Sequence, residues 1–228
     1  MKLIKRILLI VPLLLTTVFA SAQQRGQSDG INAGYLDPAM QVETWAQRFE
    51  VEGREVFDYR NEVTAVLGLA GGDRVADIGA GTGLYVPLLA NAVGTSGKVY
   101  AVDISPGFIT HLDSKIRENG LTQVETVLST ERSIDLLVNS VDMVFTSDAY
   151  HHFVYYQDML ASMMSALVSG GELIVMDYDI SKATRMAEHV GGTVEEFTRQ
   201  ITEAGFVLVE DLTFPTMEET FVRRFRKP

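Results

Sequence analysis

The 228-residue chain contains no cysteine, and that absence removes several chemistries at once. Disulfides, a Cys nucleophile, a thiolate metal site and a lipid anchor on Cys are all excluded. A chain of this length buries enough apolar surface to fold without disulfides, so their lack does not argue against an oxidising compartment. Basic residues are scarce too. Nineteen Lys and Arg stand against 30 Asp and Glu, a net charge of −11. That balance argues against nucleic acid or an anionic membrane face as partner and leaves a solvated acidic surface. No internal repeat or low-complexity block occurs. The N-terminal apolar run, Ile7 to Ala20, is 14 residues long and contains Pro12. As a helix it spans about 21 Å, short of the roughly 30 Å hydrocarbon core of a bilayer.

What is present at the N-terminus reads as an export signal. Lys2, Lys5 and Arg6 precede the apolar run, and Ala20-Ser21-Ala22 offers small residues for cleavage. The expectation is a signal peptide over 1–22 and a periplasmic or secreted protein; the alternative is a membrane anchor through residues 7–20. Cleavage leaves 16 basic and 30 acidic residues, a net charge of −14. Residues 23–36 are polar and read as a flexible leader. Residues 37–228 suit a single domain, with 37–70 as an N-terminal helical cap. In that cap Val42, Trp45, Ala46 and Phe49, then Val56, Tyr59, Val63, Val66 and Leu67, fall at helical spacing and predict two helices.

Beyond Gly71-Gly72-Asp73 strands and helices alternate. Strands are expected over Val75–Ile78, Lys98–Val102, Val124–Leu128, Val141–Thr146, Leu173–Met176, Phe206–Val209 and Thr220–Phe225. Ser105 and Pro106 cap and open a helix that Asn119-Gly120 stops. A helix with Met159, Leu160, Met163, Met164 and Leu167 is expected to end at Gly170-Gly171. Thr193-Val194-Glu195-Glu196 has the form of a capping box. Such alternation predicts an α/β fold with a doubly wound sheet. The short polar link Glu210–Glu219 before the last strand allows that strand to return antiparallel.

The most telling stretch is Val75-Ala76-Asp77-Ile78-Gly79-Ala80-Gly81-Thr82-Gly83. It reads as a buried strand, a glycine turn and a helix start, a place where ligand meets bare backbone and helix amides. A dinucleotide fingerprint needs a glycine at the sixth position, which here is Leu84. Asp103 closes the next strand, 20 residues beyond Gly83, where a carboxylate accepts hydrogen bonds from both ribose hydroxyls of a nucleoside. The acidic residue followed by Gly-x-Gly-x-Gly resembles the first motif of the class I S-adenosylmethionine-dependent methyltransferases, and Val99–Ile104 resembles their second.

The resemblance implies a Rossmann-like seven-strand sheet, mostly parallel with an antiparallel last strand, and S-adenosylmethionine as cofactor. It implies that Asp77, Gly79, Ala80, Gly81 and Gly83 form the loop around the methionine end. Asp103 would hold the ribose, Ile104 would pack on adenine, and Ser129 or Glu131 would meet the adenine amino group. It also implies that Asp148–Phe153, after the fourth strand, contact substrate and the transferred methyl. Either His151 or His152 could serve there as general base, having a pKa near neutrality. Adjacent histidines point to opposite sides of extended chain and share no helix face, so no metal site is expected from them. Asp148 with Asp177 and Asp179 could form a hard-cation site resembling that of catechol methyltransferases. The Asp-Asn pair usual there is missing. Arg54, Tyr59 and Arg60 could share a lid face over the cofactor, with solvated helix salt pairs as the plainer account.

The expected function is methyl transfer to a small-molecule acceptor. Two alternatives come from other classes: an exported, non-catalytic module that binds S-adenosylmethionine or another nucleoside, and an NAD(P)-dependent oxidoreductase, against which Leu84 argues. Nucleic acid is not expected as a partner, and a membrane is expected only if the signal segment stays uncleaved.

Overall fold

The computed structural model describes residues 30–228; the expected signal segment lies outside the described residues. Four short helices come first: α1 (Ala33–Leu36), α2 (Val42–Phe49), α3 (Glu55–Asp58) and α4 (Arg60–Val66). Two were expected. Gly53 takes φ +88° between α2 and α3, and its N–H donates to Asp58 Oδ2 at 3.0 Å, which breaks the run. The alternating part follows as β1 (Arg74–Ile78), α5 (Val86–Val93), β2 (Lys98–Asp103), α6 (Pro106–Glu118), β3 (Val124–Leu128) and β4 (Val141–Ser147). It continues with α7 (Tyr156–Ala166), β5 (Leu167–Tyr178), α8 (Ala187–Val190), α9 (Val194–Glu203), β6 (Val207–Asp211) and β7 (Thr220–Arg226).

All seven strands form one sheet in the order β3-β2-β1-β4-β5-β7-β6. The first five run parallel, and β7 is antiparallel to both β5 and β6. This is the doubly wound α/β sheet with an antiparallel final strand. Its strand order reverses between β1 and β4, where open α/β sheets bind ligands at their carboxyl ends.

Central strands are apolar on both faces because helices cover both. Alternate residues of β5 enter different cores: Leu173 and Val175 pack with α7 and α9, whereas Ile174 and Met176 pack with α4 and α5. Local signals set the helix ends. Ser105 Oγ accepts the Phe108 N–H at the start of α6, and Thr193 and Glu196 form the reciprocal capping box of α9. The C-terminal strand ties the cap to the sheet. Arg224 donates to the Val66 and Leu67 carbonyls at the end of α4 and pairs with Glu172 and Glu210.

Two expectations need correction. Helix α7 stops at Ala166, not at Gly170-Gly171; the glycines sit inside β5, where its pairing with β4 shifts register. A Cβ at Gly171 would press on the Asp142 carbonyl at 3.0 Å, so the pair serves an irregular strand and not a helix end. The second concerns residues 30–36, expected as part of a flexible leader. From residue 30 the chain turns into α1, and Asn32 is 3% exposed, held by partners far along the chain.

Candidate active site

The glycine loop follows β1, and Gly79, Gly81 and Gly83 take φ of +74°, +53° and +76°. The N–H groups of Gly79 and Ala80 donate to the Val102 carbonyl at 2.9 and 3.1 Å, which fixes the loop against the end of β2. The Gly81 N–H donates to Asp103 Oδ2, and the Ser105 N–H to Asp103 Oδ1, both at 2.8 Å. Each carboxylate oxygen thus keeps acceptor capacity for a further donor. Gly83 turns away from this space. A Cβ there would meet Leu112 Cδ2 at 2.7 Å, so its role is packing against α6, and it lines none of the clefts described below.

Three neighbouring clefts, which share wall residues, open over the carboxyl ends of the strands. One, of about 650 Å³, is walled by Gly79, Gly81, Asp103, Ile104, Ser129 and Glu131 and roofed by Tyr35 and Phe108. A second, of about 450 Å³, holds Asp77, Ala80, Thr82, Arg54 and Tyr85. A third, of about 1090 Å³, holds His151, His152, His189, Tyr178 and Trp45. Phe49 and Asp148 line all three. Nearly every residue named for the cofactor therefore gathers around one space, Gly83 excepted.

Buried carboxylates dominate the electrostatics. Burial pushes Asp77 up to about 7, and the neighbouring Asp103 charge adds to it. Burial likewise raises Asp103 to about 6 against the backbone N–H groups of Ser105, Gly81 and Ile104, which favour its charged form. Asp148 reaches about 6, raised first by burial and lowered by His151 and Arg54. Its φ is +52°, a left-handed conformation unusual for a residue with a side chain, and it pairs with Arg54. Arg54 also donates to the Phe49 carbonyl at 3.0 Å. It is an integral wall of the site and not one half of a solvated helix pair.

The histidines sit on a 3-10 turn, Tyr150–His152, directly after β4. His151 is buried, its Nδ1 lying 2.8 and 3.0 Å from the two oxygens of Asp177. Burial alone would lower its pKa, but the charge and hydrogen bond of Asp177 outweigh it and the net direction is upward. His152 Nδ1 lies 3.2 Å from Asn32 Oδ1, and burial with the neighbouring His151 and His189 drives His152 down to about 2. The premise that adjacent histidines must diverge does not hold on this tight turn: the two rings lie 4.3 Å apart, centroid to centroid. His189 on α8 completes the group, its Nε2 3.2 Å from His151 Nε2.

Asn32, Tyr35, Phe49 and His189 were missed as site residues from sequence, because each reaches the site by long-range packing that no local motif encodes. Asn32 Nδ2 donates to Glu131 Oε1 at 2.9 Å and to the His152 carbonyl at 3.2 Å, across sequence separations of 99 and 120.

Residues 75–171 match the sequence family described as a methyltransferase domain. The aklanonic acid methyltransferase DauC of Streptomyces sp. (strain C5) is 34% identical over 119 residues, 49% of this chain and 51% of that protein. The demethylmenaquinone methyltransferase of Bacillus mycoides (strain KBAB4) is 24% identical over 171 residues, 71% of each chain. Against most of these curated relatives the chain spans about half their length, 53% for another demethylmenaquinone methyltransferase, from Geobacillus sp. (strain WCH70). Among solved structures, a SAM dependent methyltransferase from Aquifex aeolicus superposes with a TM-score of 0.73 at 22% identity, over 81% of this chain and 98% of that one. Around this cleft, then, residues 75–171 are similar to a methyltransferase domain, and the seven-strand sheet is the Rossmann-like fold of that solved methyltransferase.

Proposed function

We propose that the protein binds S-adenosylmethionine and transfers its methyl group to a small-molecule acceptor. The observation that carries this reading is the meeting of three clefts at Phe49 and Asp148. A nucleoside fits the first, where Asp103 has acceptor sites left for ribose hydroxyls. A charged amino-acid end fits the second, beside Asp77. The third is open and walled by Tyr35, Trp45, Phe49 and Tyr178, which suits an acceptor with a flat apolar body. The relatives named for aklanonic acid and demethylmenaquinone support that acceptor class.

The glycine loop, Asp77 and Asp103 would hold S-adenosylmethionine, which would supply a methyl group activated by its sulfonium for transfer to the acceptor. The chain's own part is positioning and exclusion of water. The loop glycines admit the ligand to backbone, Asp103 fixes the ribose, and the aromatic roof covers both substrates. His152, on the wall shared by the first and third clefts, is the histidine positioned to reach both. The test is calorimetric titration of the protein with S-adenosylmethionine and, separately, NAD. Micromolar binding of the first and none of the second is expected; the reverse would overturn the reading. The proposal extends to location: residues 1–22 direct export, which a mature N-terminus at Gln23 in a cell-envelope or secreted fraction, read by mass spectrometry, would establish.

A pH dependence follows from Asp77. Its pKa in the fold, about 7, lies above its ordinary value of 3.8. The stability its neutral form contributes is whole below about pH 4 and is lost as pH rises through 7. A cationic ligand beside it favours the ionised form, so binding releases a proton below 7. Affinity for S-adenosylmethionine is therefore expected to rise about tenfold per unit from pH 5 toward 7. Titrations at pH 5, 6 and 7 read this directly, and Asp77→Asn should remove the rise between pH 6 and 7 while Asp103, at about 6, keeps a dependence below that.

A further inference from the structure

The three histidines around the third cleft are arranged for more than acid–base work. His151, His152 and His189 each offer a ring nitrogen, and these lie within 4.8 Å of one another. The closest pair, His151 Nε2 and His189 Nε2, is 3.2 Å apart. Two nitrogens bound to one tetrahedral ion at 2.0–2.1 Å stand about 3.3 Å apart.

Hydrogen bonds select the nitrogens. Asp177 accepts from His151 Nδ1, so that nitrogen keeps its proton and Nε2 is the nitrogen turned toward His189. Asn32 donates through Nδ2 to Glu131 Oε1 and the His152 carbonyl, two groups that only accept. Its Oδ1 therefore faces His152 Nδ1, which carries the proton and leaves Nε2 as the lone-pair nitrogen. Thus each ring of the adjacent pair has an oxygen behind its Nδ1, the arrangement that holds a ligand histidine in place.

The support around the group is built in. Asp177 is fully buried and also accepts the backbone N–H of His151 and of Tyr178. A carboxylate so occupied suits an orienting role behind a ligand histidine. His189 is exposed, but the neighbouring Val190 and, before α8, Ala183 are each 1% exposed and anchor its short helix in the core. A competing group, Asp148 with His151 and Asp177, also falls within 4.8 Å. There Arg54 already neutralises Asp148, and Asp177 already holds His151.

We propose that His151, His152 and His189 form a three-histidine site for a zinc-type divalent ion, with Asp177 and Asn32 as positioning residues. Nitrogen donors without thiolate suit zinc or a neighbouring first-row metal. The fourth position would face the third cleft, whose wall the three rings form. There the ion would take an acceptor hydroxyl and release its proton to solvent, so that oxygen is the atom methylated. That use of the ion rests on the methyl-transfer reading, whereas the ion's binding does not.

The experiment uses full-length, untagged protein stripped with chelator, titrated with Zn²⁺ by calorimetry and with Co²⁺ by visible absorption. One ion per chain and the intense bands of four-coordinate Co²⁺ are expected. His189→Ala, at an exposed position, should keep the fold and weaken Zn²⁺ binding at least tenfold. Asp177→Asn should weaken it about 10- to 100-fold. Should either variant fail to fold, His189→Gln read by the same Co²⁺ spectrum replaces it. Absence of stoichiometric binding, or affinity unchanged by His189→Ala or its replacement, would overturn the site and leave the 3.2 Å contact as a hydrogen bond. S-adenosylmethionine titrated separately keeps the two proposals distinct: cofactor binding without ion binding rejects the metal site alone, and the converse rejects the cofactor reading alone.

Discussion

Asp103→Ala is expected to weaken S-adenosylmethionine binding about 1000-fold while leaving a folded protein. Two ribose hydroxyls donating to a carboxylate form charge-assisted hydrogen bonds, each worth about 1.5–3 kcal/mol. Their loss, about 4 kcal/mol together, corresponds to roughly three orders of magnitude in affinity. The alanine also orphans the Gly81 N–H now held at 2.8 Å, loosening the loop that the cofactor touches. Asp103→Asn separates binding from stability. With a pKa in the fold of about 6, ionised Asp103 disfavours folding at neutral pH, and the neutral amide removes that charge. The Asn variant should then bind poorly yet unfold close to the parent at pH 8, relief of the buried charge offsetting the clash of its NH2 with the Gly81 or Ser105 N–H. Calorimetric affinity and thermal unfolding, measured on the same samples, check both halves. Unchanged affinity in the Ala variant would remove Asp103 from the cofactor site.

Gly79→Ala should destabilise the protein by about 3–4 kcal/mol. A left-handed backbone costs a side chain about 1–2 kcal/mol, and Gly79 has φ +74°. In addition the new Cβ would lie 2.5 Å from the Ala149 Cβ, an overlap that forces movement. Overpacking of this kind adds about 1–3 kcal/mol. For a domain of this size the sum lowers the melting temperature by about 10 °C. The second half of the cost is separable: Ala149→Gly in the same chain should recover the steric part and not the backbone part. Full recovery would mean that the left-handed turn carries no strain. Because Ala149 leads into the Tyr150–His152 turn, the single variant should also displace the histidines.

The parts of the molecule that sequence reveals are those settled within a few residues. Ser105-Pro106 and Thr193 to Glu196 specify helix starts because cap and acceptor lie within one turn, and α6 and α9 begin there. Asp77 to Gly81 and Asp103 were legible because the glycine turn and the next strand end are adjacent by the parallel topology itself: Asp77 pairs with Ala101 in β2. The remainder is non-local. Arg54 meets Asp148 across 94 residues, and His189 meets His151 across 38, with no spacing rule to announce either. Adjacent histidines mislead for the opposite reason: divergence of neighbours in extended or helical chain does not hold where the backbone makes a 3-10 turn. Gly83 fits the motif, but φ +76° and the contact with Leu112 make it a turn and packing glycine.

The roof over the first cleft has a consequence for how ligands enter. Helices α1 and α2 contain no buried residue, whereas the strands beneath them are almost wholly buried. Trp45 packs against Tyr35 and Phe49, and these two rings reach Phe108, so the roof is held chiefly by rings and by Asn32. A segment secured this lightly detaches at a small fraction of the free energy needed to unfold the sheet. Residues 30–49 would then exchange their amide hydrogens well before β1 and β4, and exchange would slow once the cleft is filled. The first twenty residues of the described chain thereby set how long a ligand stays in the cleft they cover.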